Sequence, residues 1–292
     1  MHGRCQSPAA VLSPLPADLP DQVSRALRED IGSGDVTADL IPASTQARAQ
    51  VLCRQAALLC GAPWFDATFR QLDPAVQVRW RFAEGAQVAA DSTLCELHGP
   101  ARAILTGERT ALNFLQLLSA TATITQRYVA ALAGTQCRIL DTRKTLPGLR
   151  SAQKYAVRCG GGENHRLGLY DMVLIKENHI AAAGSIGAAV GAARSAAVPV
   201  EVEVESLEQL RQALDARADR VLLDNFNLAG LRSAVALNRG HAHPALLEAS
   251  GGVTLEGIAA IAATGVDYIS CGSLTKNVDA IDLSMRFGGP GG

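Results

Sequence analysis

Beyond residue 130 the chain repeats one pattern: a short apolar run, a polar exit, then an alanine-rich stretch of helical periodicity. The apolar runs are residues 137–140, 172–176, 198–204, 220–224, 245–249 and 267–271. They are spaced by roughly 20–30 residues, with segments such as SLEQLRQALDAR and TLEGIAAIAATG between them, so they read as successive βα units feeding a parallel sheet. Six or seven such units close into a barrel, perfect or incomplete, or lie flat as a doubly wound sheet. Periodicity does not choose between the two. Both topologies place ligands at the carboxyl ends of the strands, and here those ends read LDTRK, LIKEN, VEVES, LLDN, LEASGG and SCGS. One polar exit is unremarkable. Six in succession describe a single site that draws one or two residues from every strand.

The preceding part has a different texture. A helix is predicted near Asp21–Glu29. ARAQVLCRQAALLCG and VQVRWRFAEGAQV alternate as strands do, and EGAQVAADSTLCELHGPARAIL reads as further strands joined by tight turns at Gly85 and Gly99. A long helix, roughly Gly107 to Ala133, then leads into the repeats. The opening MHGRCQSPAAVLSPLPADLP is rich in proline and has no cationic segment followed by an apolar one, so residues 1–20 are expected to form a loose arm, not a signal peptide. The formal net charge of −1 excludes wholesale attraction to nucleic acid or an anionic membrane. Any cationic site is therefore local and balanced elsewhere. The seven cysteines are scattered without a CxxC pair, which supports neither a zinc ribbon nor a redox dithiol. Reduced thiols in a cytoplasmic protein are expected.

The polar exits carry the chemistry. VEVEVES alternates Glu201, Glu203 and Glu205 with Val200, Val202 and Val204. In a barrel the valines face the helices and the glutamates the lumen, where buried carboxylates need cationic partners. Lys144 and Lys176, ending neighbouring strands, are the expected ones; an isolated VEVE would read as an edge strand in water. GGGENHRLGLYDMVLIKENH puts His165 and Arg166 on a loop before the strand that ends in Lys176. Arginine suits bidentate carboxylate or phosphate contacts, and lysine supplies a point charge. LEASGGVT and ISCGSLT are glycine- and serine-rich strand-to-helix turns on the last two strands, where barrels commonly hold phosphate. Arg143, Lys144, His165, Arg166 and Lys176 facing Glu205 and Asp224 make a site for a multiply anionic substrate, with room for a divalent metal.

The ordered series EDIGSGDVTADLIP, GERTALNFLQLLS, DTRKTLPGLR, KYAVRCGGGENHRLGLYDMVLIKENHI, EVEVES, LLDNF, EASGGV and ISCGSLT resembles the quinolinate phosphoribosyltransferase family, also called nicotinate-nucleotide pyrophosphorylase (carboxylating). The likeness covers nearly all of the chain after about residue 20. It implies an N-terminal α/β sandwich over residues 21–112, joined by the tail 277–292, and an incomplete, open α/β barrel over 113–276. It also implies a homodimer in which Arg109 reaches the neighbouring subunit's site. The substrates would be quinolinate and phosphoribosyl pyrophosphate, with Mg²⁺. Arg143, Lys144, His165, Arg166 and Lys176, with Thr142 beside them, would hold quinolinate's two carboxylates. Glu205 and Asp224 would serve the ribose and metal side, and Ser250, Gly251, Gly252, Cys271, Gly272 and Ser273 the 5′-phosphate. Lys144, Lys176, Glu205 and Asp224 would be the catalytic set. The last loop departs from the family, which more often has valine and alanine where Cys271 and Ser273 stand.

Other readings of the same residues are a relative on this scaffold associated with molybdenum transport, a transferase acting on nicotinate, a Schiff-base aldolase built on Lys176, and a metabolite-binding barrel without catalysis.

Overall fold

The computed structural model describes residues 14–288. Residues 1–13 of the expected arm and 289–292 of the expected tail lie outside the described residues. The chain divides into two compact units, one taking residues 1–123, 151–160 and 278–292, the other 124–150 and 161–277. In chain order the elements begin with α1 (Leu19–Ile31), β1 (Gln46–Cys53), β2 (Ala57–Leu58), α2 (Ala62–Leu72), β3 (Gln77–Trp80), β4 (Gln87–Val88), β5 (Ser92–Pro100) and α3 (Ala101–Ala131). They continue with β6 (Arg138–Leu140), α4 (Arg150–Cys159), β7 (Val173–Ile175), α5 (Glu177–Ala183), α6 (Ile186–Ala193), β8 (Val200–Val204) and α7 (Leu207–Asp215). The last are β9 (Arg220–Asp224), α8 (Leu228–Arg239), β10 (Leu246–Ser250), α9 (Ile258–Ala262), β11 (Tyr268–Ser270), α10 (Ser273–Lys276) and β12 (Leu283–Gly288).

The first unit is built on an antiparallel sheet in the order β12-β1-β5-β3, beside a two-stranded β2-β4 ribbon. Strand alternation turns Ala49, Val51, Cys95 and Leu97 to a core shared with Phe65 and Phe69 of α2 and Leu112 and Leu115 of α3. Burial of each large side chain contributes about 1.5–3 kcal/mol. Gly107 lets α3 approach α2, because a Cβ there would stand 2.7 Å from the Phe69 ring. Two boundaries differ from expectation. The run ARAIL is helical, not extended: Pro100 ends β5, and Ala101 begins α3 with its N–H donated to the Thr45 carbonyl. α1 starts at Leu19, inside the expected arm, with Pro20 in its first turn where no N–H is needed. Its buried Gln22 accepts from the Trp64 indole at 2.7 Å and donates to Ser151 of α4 at 2.6 Å.

The second unit holds a six-stranded parallel sheet in the order β6-β11-β10-β9-β8-β7. From β7 to β11 each strand lies beside its successor, and β6 sits beyond β11. A doubly wound sheet reverses direction at a switch point; a consecutive order with the first strand next to the last is that of a barrel, open here between β6 and β7. A single bridge, Leu140 to Glu163, extends β6 on the open side. Residues 151–160, nearly all of α4, pack in the first unit, with the Tyr155 ring 5.3 Å from Trp64. Helices α6, α7 and α8 are capped: Ser185, Ser206 and Asn227 accept the N–H groups of Ala188, Gln209 and Gly230, each worth about 1 kcal/mol.

The register separates the two sheet faces. Val200, Val202, Val204, Val221, Leu223, Leu247 and Ile269 share one face and are buried. The opposite face carries Glu201 and Glu203 of β8, Arg220, Leu222 and Asp224 of β9, Glu248 and Ser250 of β10, Tyr268 and Ser270 of β11, and Arg138 of β6. The expected division of valines and glutamates therefore holds. The expected ion pairs hold only in part. Lys176 pairs with Glu203. Glu201 lies instead against His165, Glu205 is exposed at the strand exit, and Lys144 pairs with no carboxylate among the described residues.

Candidate active site

The β6 exit is held rigidly. Asp141 is fully buried, and its carboxylate accepts the His165 N–H at 2.9 Å and the Asn164 side-chain amide at 2.6 Å, tying the β6 exit to the loop before β7. Thr142 Oγ1 accepts the Lys144 N–H at 3.0 Å, and Thr275 Oγ1 donates to the Lys144 carbonyl at 2.8 Å. The Lys144 stem lies over Gly272, where a Cβ would stand 2.9 Å from its Cδ. The DTRK run is thus fixed to the loop before β7 at one end and to the last strand-to-helix turn at the other.

Two guanidinium groups stand together above this frame. Arg143 Nη1 is buried and has no hydrogen-bond partner among the described residues. Burial, and then the neighbouring Arg143 charge, hold Arg166 below the usual arginine range. Arg166 gives one N–H to the Met172 carbonyl at 3.3 Å. Adjacent cations with an unmet buried donor call for an anion, and a carboxylate is the group that meets a guanidinium in bidentate fashion.

On the β7–β9 side, the Asp224 carboxyl is raised above its ordinary value by burial and then by Glu203, against the opposing pull of Lys176 and Lys144. One oxygen of Asp224 accepts the Asn225 side-chain amide at 2.8 Å. Asn225 has φ of 56° and Gly251 a φ of 98°. A Cβ on Gly251 would stand 2.1 Å from Asn225 Oδ1, so only glycine fits. The Lys176 N–H is met by His179 Nδ1 at 2.9 Å, which fixes the backbone from which its ammonium projects. Hard carboxylate oxygens at this mouth, Asp224 with Glu203 and Glu205 nearby on β8 and its exit, fit a divalent cation that also takes substrate oxygens.

All six phosphate-loop candidates, Ser250, Gly251, Gly252, Cys271, Gly272 and Ser273, line one cavity of about 600 Å³ together with Thr142 and Lys144. Tyr128 and Lys276 line it too, and sequence reasoning missed both. The helices beyond these loops, α9 and α10, have five and four residues, so positive potential here comes from Lys144 and Lys276 and from backbone N–H groups more than from a helix dipole. Cys271 is buried, with its Sγ 2.9 Å from Ser273 Oγ and 3.8 Å from the Val253 carbonyl. A hollow of about 630 Å³ on the polar face of the first unit's sheet is lined by Arg48, Arg79 and Arg286 around Glu96, and offers none of this machinery.

Three candidates sit differently from the rest. His165 is buried and turns both ring nitrogens to the protein: Nδ1 accepts the Arg166 N–H at 2.7 Å, and Nε2 lies 2.8 Å from Glu201 and 3.6 Å from Glu248. Glu205 is exposed, with Gln209 bonded to its backbone N–H. Arg109 is exposed on α3, in the first unit. The residues that sequence reasoning passed over are Asp141, Asn164, Arg220 and Glu248. Glu248 carried the one usable signal, since it stands two residues before Ser250 and must share its face.

Residues 35–119 match the family model described as the N-terminal domain of quinolinate phosphoribosyl transferase, and residues 121–286 match the one for its C-terminal domain. A probable nicotinate-nucleotide pyrophosphorylase (carboxylating) of Bacillus subtilis is 45% identical over 88% of this chain and 89% of its own. The enzyme of that name from Mycobacterium leprae is 43% identical over 91% and 95%. The solved nicotinate-nucleotide pyrophosphorylase of Francisella tularensis superposes with a TM-score of 0.88 at 45% identity, covering 95% of this chain and 99% of its own. Two matched domains in the expected order, with relatives this similar along nearly their whole length, place the chain in the quinolinate phosphoribosyltransferase family.

Proposed function

We propose that the chain transfers the phosphoribosyl group of phosphoribosyl pyrophosphate to quinolinate with decarboxylation, giving nicotinate mononucleotide, pyrophosphate and CO₂, a step of NAD biosynthesis. The observation that carries this reading to the chemistry is the Arg143–Arg166 pair, whose unmet buried Nη1 stands next in sequence to a lysine lining the phosphate-loop cavity.

Each group then has a task. Arg143 and Arg166 take quinolinate's carboxylates, and Lys176 adds charge from the neighbouring strand exit. The 5′-phosphate rests on the backbone of Ser250–Gly252 and Gly272, with Lys276 beside it. Lys144 projects between the two pockets and neutralises charge as pyrophosphate leaves. Asp224 opposes the positive charge that grows at the ribose C1 as the quinolinate nitrogen attacks. The pyridinium so formed stabilises the electron pair left behind when the adjacent carboxylate departs, and the guanidinium pair keeps that carboxylate oriented until it goes. Asp224 with Glu205 would hold Mg²⁺, whose contribution is to neutralise the pyrophosphate oxygens.

The working form proposed is a cytoplasmic homodimer, with Arg109 entering the partner's dicarboxylate pocket. Leu169 and Tyr170, each about three-quarters exposed, are apolar surface of the kind a subunit interface covers. No helix of the described residues is long and apolar enough to cross a membrane. The test is direct: purified protein with quinolinate, phosphoribosyl pyrophosphate and Mg²⁺ should release CO₂ and nicotinate mononucleotide in equal amounts. Absence of both products, with folded protein, overturns the reading.

A further inference from the structure

The first unit carries a cluster of ligating atoms that takes no part in the proposed transfer. Cys60, Glu84 and Cys159 come from three separate places in the chain: the turn between β2 and α2, the turn between β3 and β4, and the C-terminal end of α4. Cys60 Sγ, Cys159 Sγ and a Glu84 carboxylate oxygen all lie within 4.8 Å of one another. The Cys60 thiol is within hydrogen-bond reach of both other groups, and the Tyr155 hydroxyl, one turn before Cys159 on α4, reaches Glu84 and Cys159. Cys60 and Tyr155 are buried, whereas Glu84 and Cys159 keep a partly open side through which an ion could enter.

Each ligating group is held from behind. Ser119 Oγ accepts the Cys60 N–H at 3.0 Å and donates to its carbonyl at 2.9 Å, so both backbone groups of Cys60 are fixed to α3. The Glu84 oxygens accept the Gly61 and Ala62 N–H groups at 2.7 and 3.0 Å. The Gly85 N–H donates to the Leu59 carbonyl at 2.8 Å, which ties the Glu84 turn to the Cys60 turn. A carboxylate has about four lone-pair sites, so two backbone donors leave Glu84 capacity toward the sulfurs. The Tyr155 ring is seated 5.3 Å from Trp64.

Two thiols are weak donors and weak acceptors, and hydrogen bonding alone gives them little reason to converge on a carboxylate. As ligands they have one. Thiolates favour zinc over Mg²⁺ and Ca²⁺, which take oxygen donors, and three protein donors with a fourth position left to water is a recurrent zinc arrangement. A ligating carboxylate fixed by backbone N–H groups is the outer support such a site needs. Zn²⁺ with two thiolates and one carboxylate carries one net negative charge, and Arg158, adjacent to Cys159, acts on that sulfur from the opposite sign.

We propose that Cys60, Glu84 and Cys159 bind a Zn²⁺ ion, with the Tyr155 hydroxyl bonded to a water in the fourth position. The ion serves structure: its ligands fasten the end of α4 to the β2–α2 turn. From Cys159 the chain runs through Gly160–Gly162 toward His165 and Arg166, so the ion fixes the root of that segment.

The test loads the metal-free, thiol-reduced full chain with Co²⁺, which reports thiolate ligation by a charge-transfer band in the near ultraviolet, and then displaces it with Zn²⁺. Wild type should show the band and lose it as Zn²⁺ enters. Cys60→Ser and Cys159→Ser should each abolish it, and Glu84→Gln should weaken Co²⁺ binding about tenfold or more. Asp224→Asn, which alters the proposed Mg²⁺ site, should keep the band. Zn²⁺ at roughly 100 times its dissociation constant should raise the wild-type Tm by about 4 °C and leave that of Cys159→Ser unmoved. Cys159 is partly exposed at a helix end, so its serine variant remains informative even where the buried Cys60→Ser fails to fold. No band in reduced wild type, a band that persists in Cys159→Ser, a band lost in Asp224→Asn, or a wild-type Tm that Zn²⁺ leaves unchanged overturns the proposal.

Discussion

The buried glutamate pair makes folding stability depend on pH in a direction opposite to that of most carboxylates. Glu201 and Glu248 are pushed from an ordinary 4.5 up to about 7, in each case by burial first. Between those values the folded state binds more protons than the unfolded chain, so stability falls as pH rises through the window and levels off above the folded value. From pH 5.5 to a plateau near 7 is about 1.5 pKa units for one proton bound by the pair, or roughly 2 kcal/mol at about 1.36 kcal/mol per unit. At about 2.1 cal/mol/K of unfolding entropy per residue, a chain of this size converts that to roughly 3 °C in Tm. Glu248→Gln removes the second ionisation. Thermal unfolding of wild type and variant across pH 5.5, 6.5, 7.5 and 8.5 should therefore diverge, with the variant gaining about 3 °C on the wild type between the lowest and highest pH. Taking the difference between the two proteins cancels the contributions of Glu84, Asp66 and Asp224, whose carboxyls burial also raises. Parallel Tm curves, or a wild type that gains on the variant as pH rises, would refute the raised carboxyls of the buried pair.

Three further outcomes follow from the same geometry. Lys144→Ala and Lys176→Ala should each cut turnover by a factor of at least about 100 while leaving Tm within a few degrees, because neither ammonium is buried and each faces the ligand side; steady-state kinetics beside circular-dichroism melts checks both. Gly272→Ala should push the Lys144 stem off its seat, since the new Cβ would stand 2.9 Å from Cδ; KM for phosphoribosyl pyrophosphate should rise about tenfold or more, and an unchanged KM would show that the Lys144 stem does not need that seat. Mixing inactive Arg109→Ala with inactive Lys144→Ala chains should restore up to roughly half of the wild-type rate per mixed dimer; no recovery, with mixed dimers demonstrated by mass spectrometry, places Arg109 outside the partner's site.

The strand exits were legible in sequence because an apolar strand ending in a charge is a local signal. DTRK, LIK, LLDN and the two glycine-serine turns all stand at the barrel mouth. The alternation of VEVEV also gave the correct faces, since a strand has only two. Which cation meets which glutamate was not legible. That depends on the stagger between strands, which puts Lys176 beside Glu203 and leaves Glu201 deeper, against a histidine from another loop. Strand order was equally silent, because a consecutive barrel and a reversing sheet share one hydrophobic period. The surroundings of His165 bring together a single backbone N–H and two carboxylates distant in sequence, and no local pattern encodes such a meeting. The start of α3 was misplaced because ARAIL suits strand and helix alike, and Pro100 decides it only once β5 is paired.

The most direct test of the central claim, that the guanidinium pair and its lysine neighbours form a dicarboxylate pocket, is the ratio of kcat/KM for quinolinate to that for nicotinate with saturating phosphoribosyl pyrophosphate and Mg²⁺. A monocarboxylate leaves the buried Arg143 donor or its neighbour unmet, and a site built to pair a group discriminates against a ligand lacking it by about 10⁴ or more. A ratio of that order is the predicted result. Comparable values for the two acids would contradict the account.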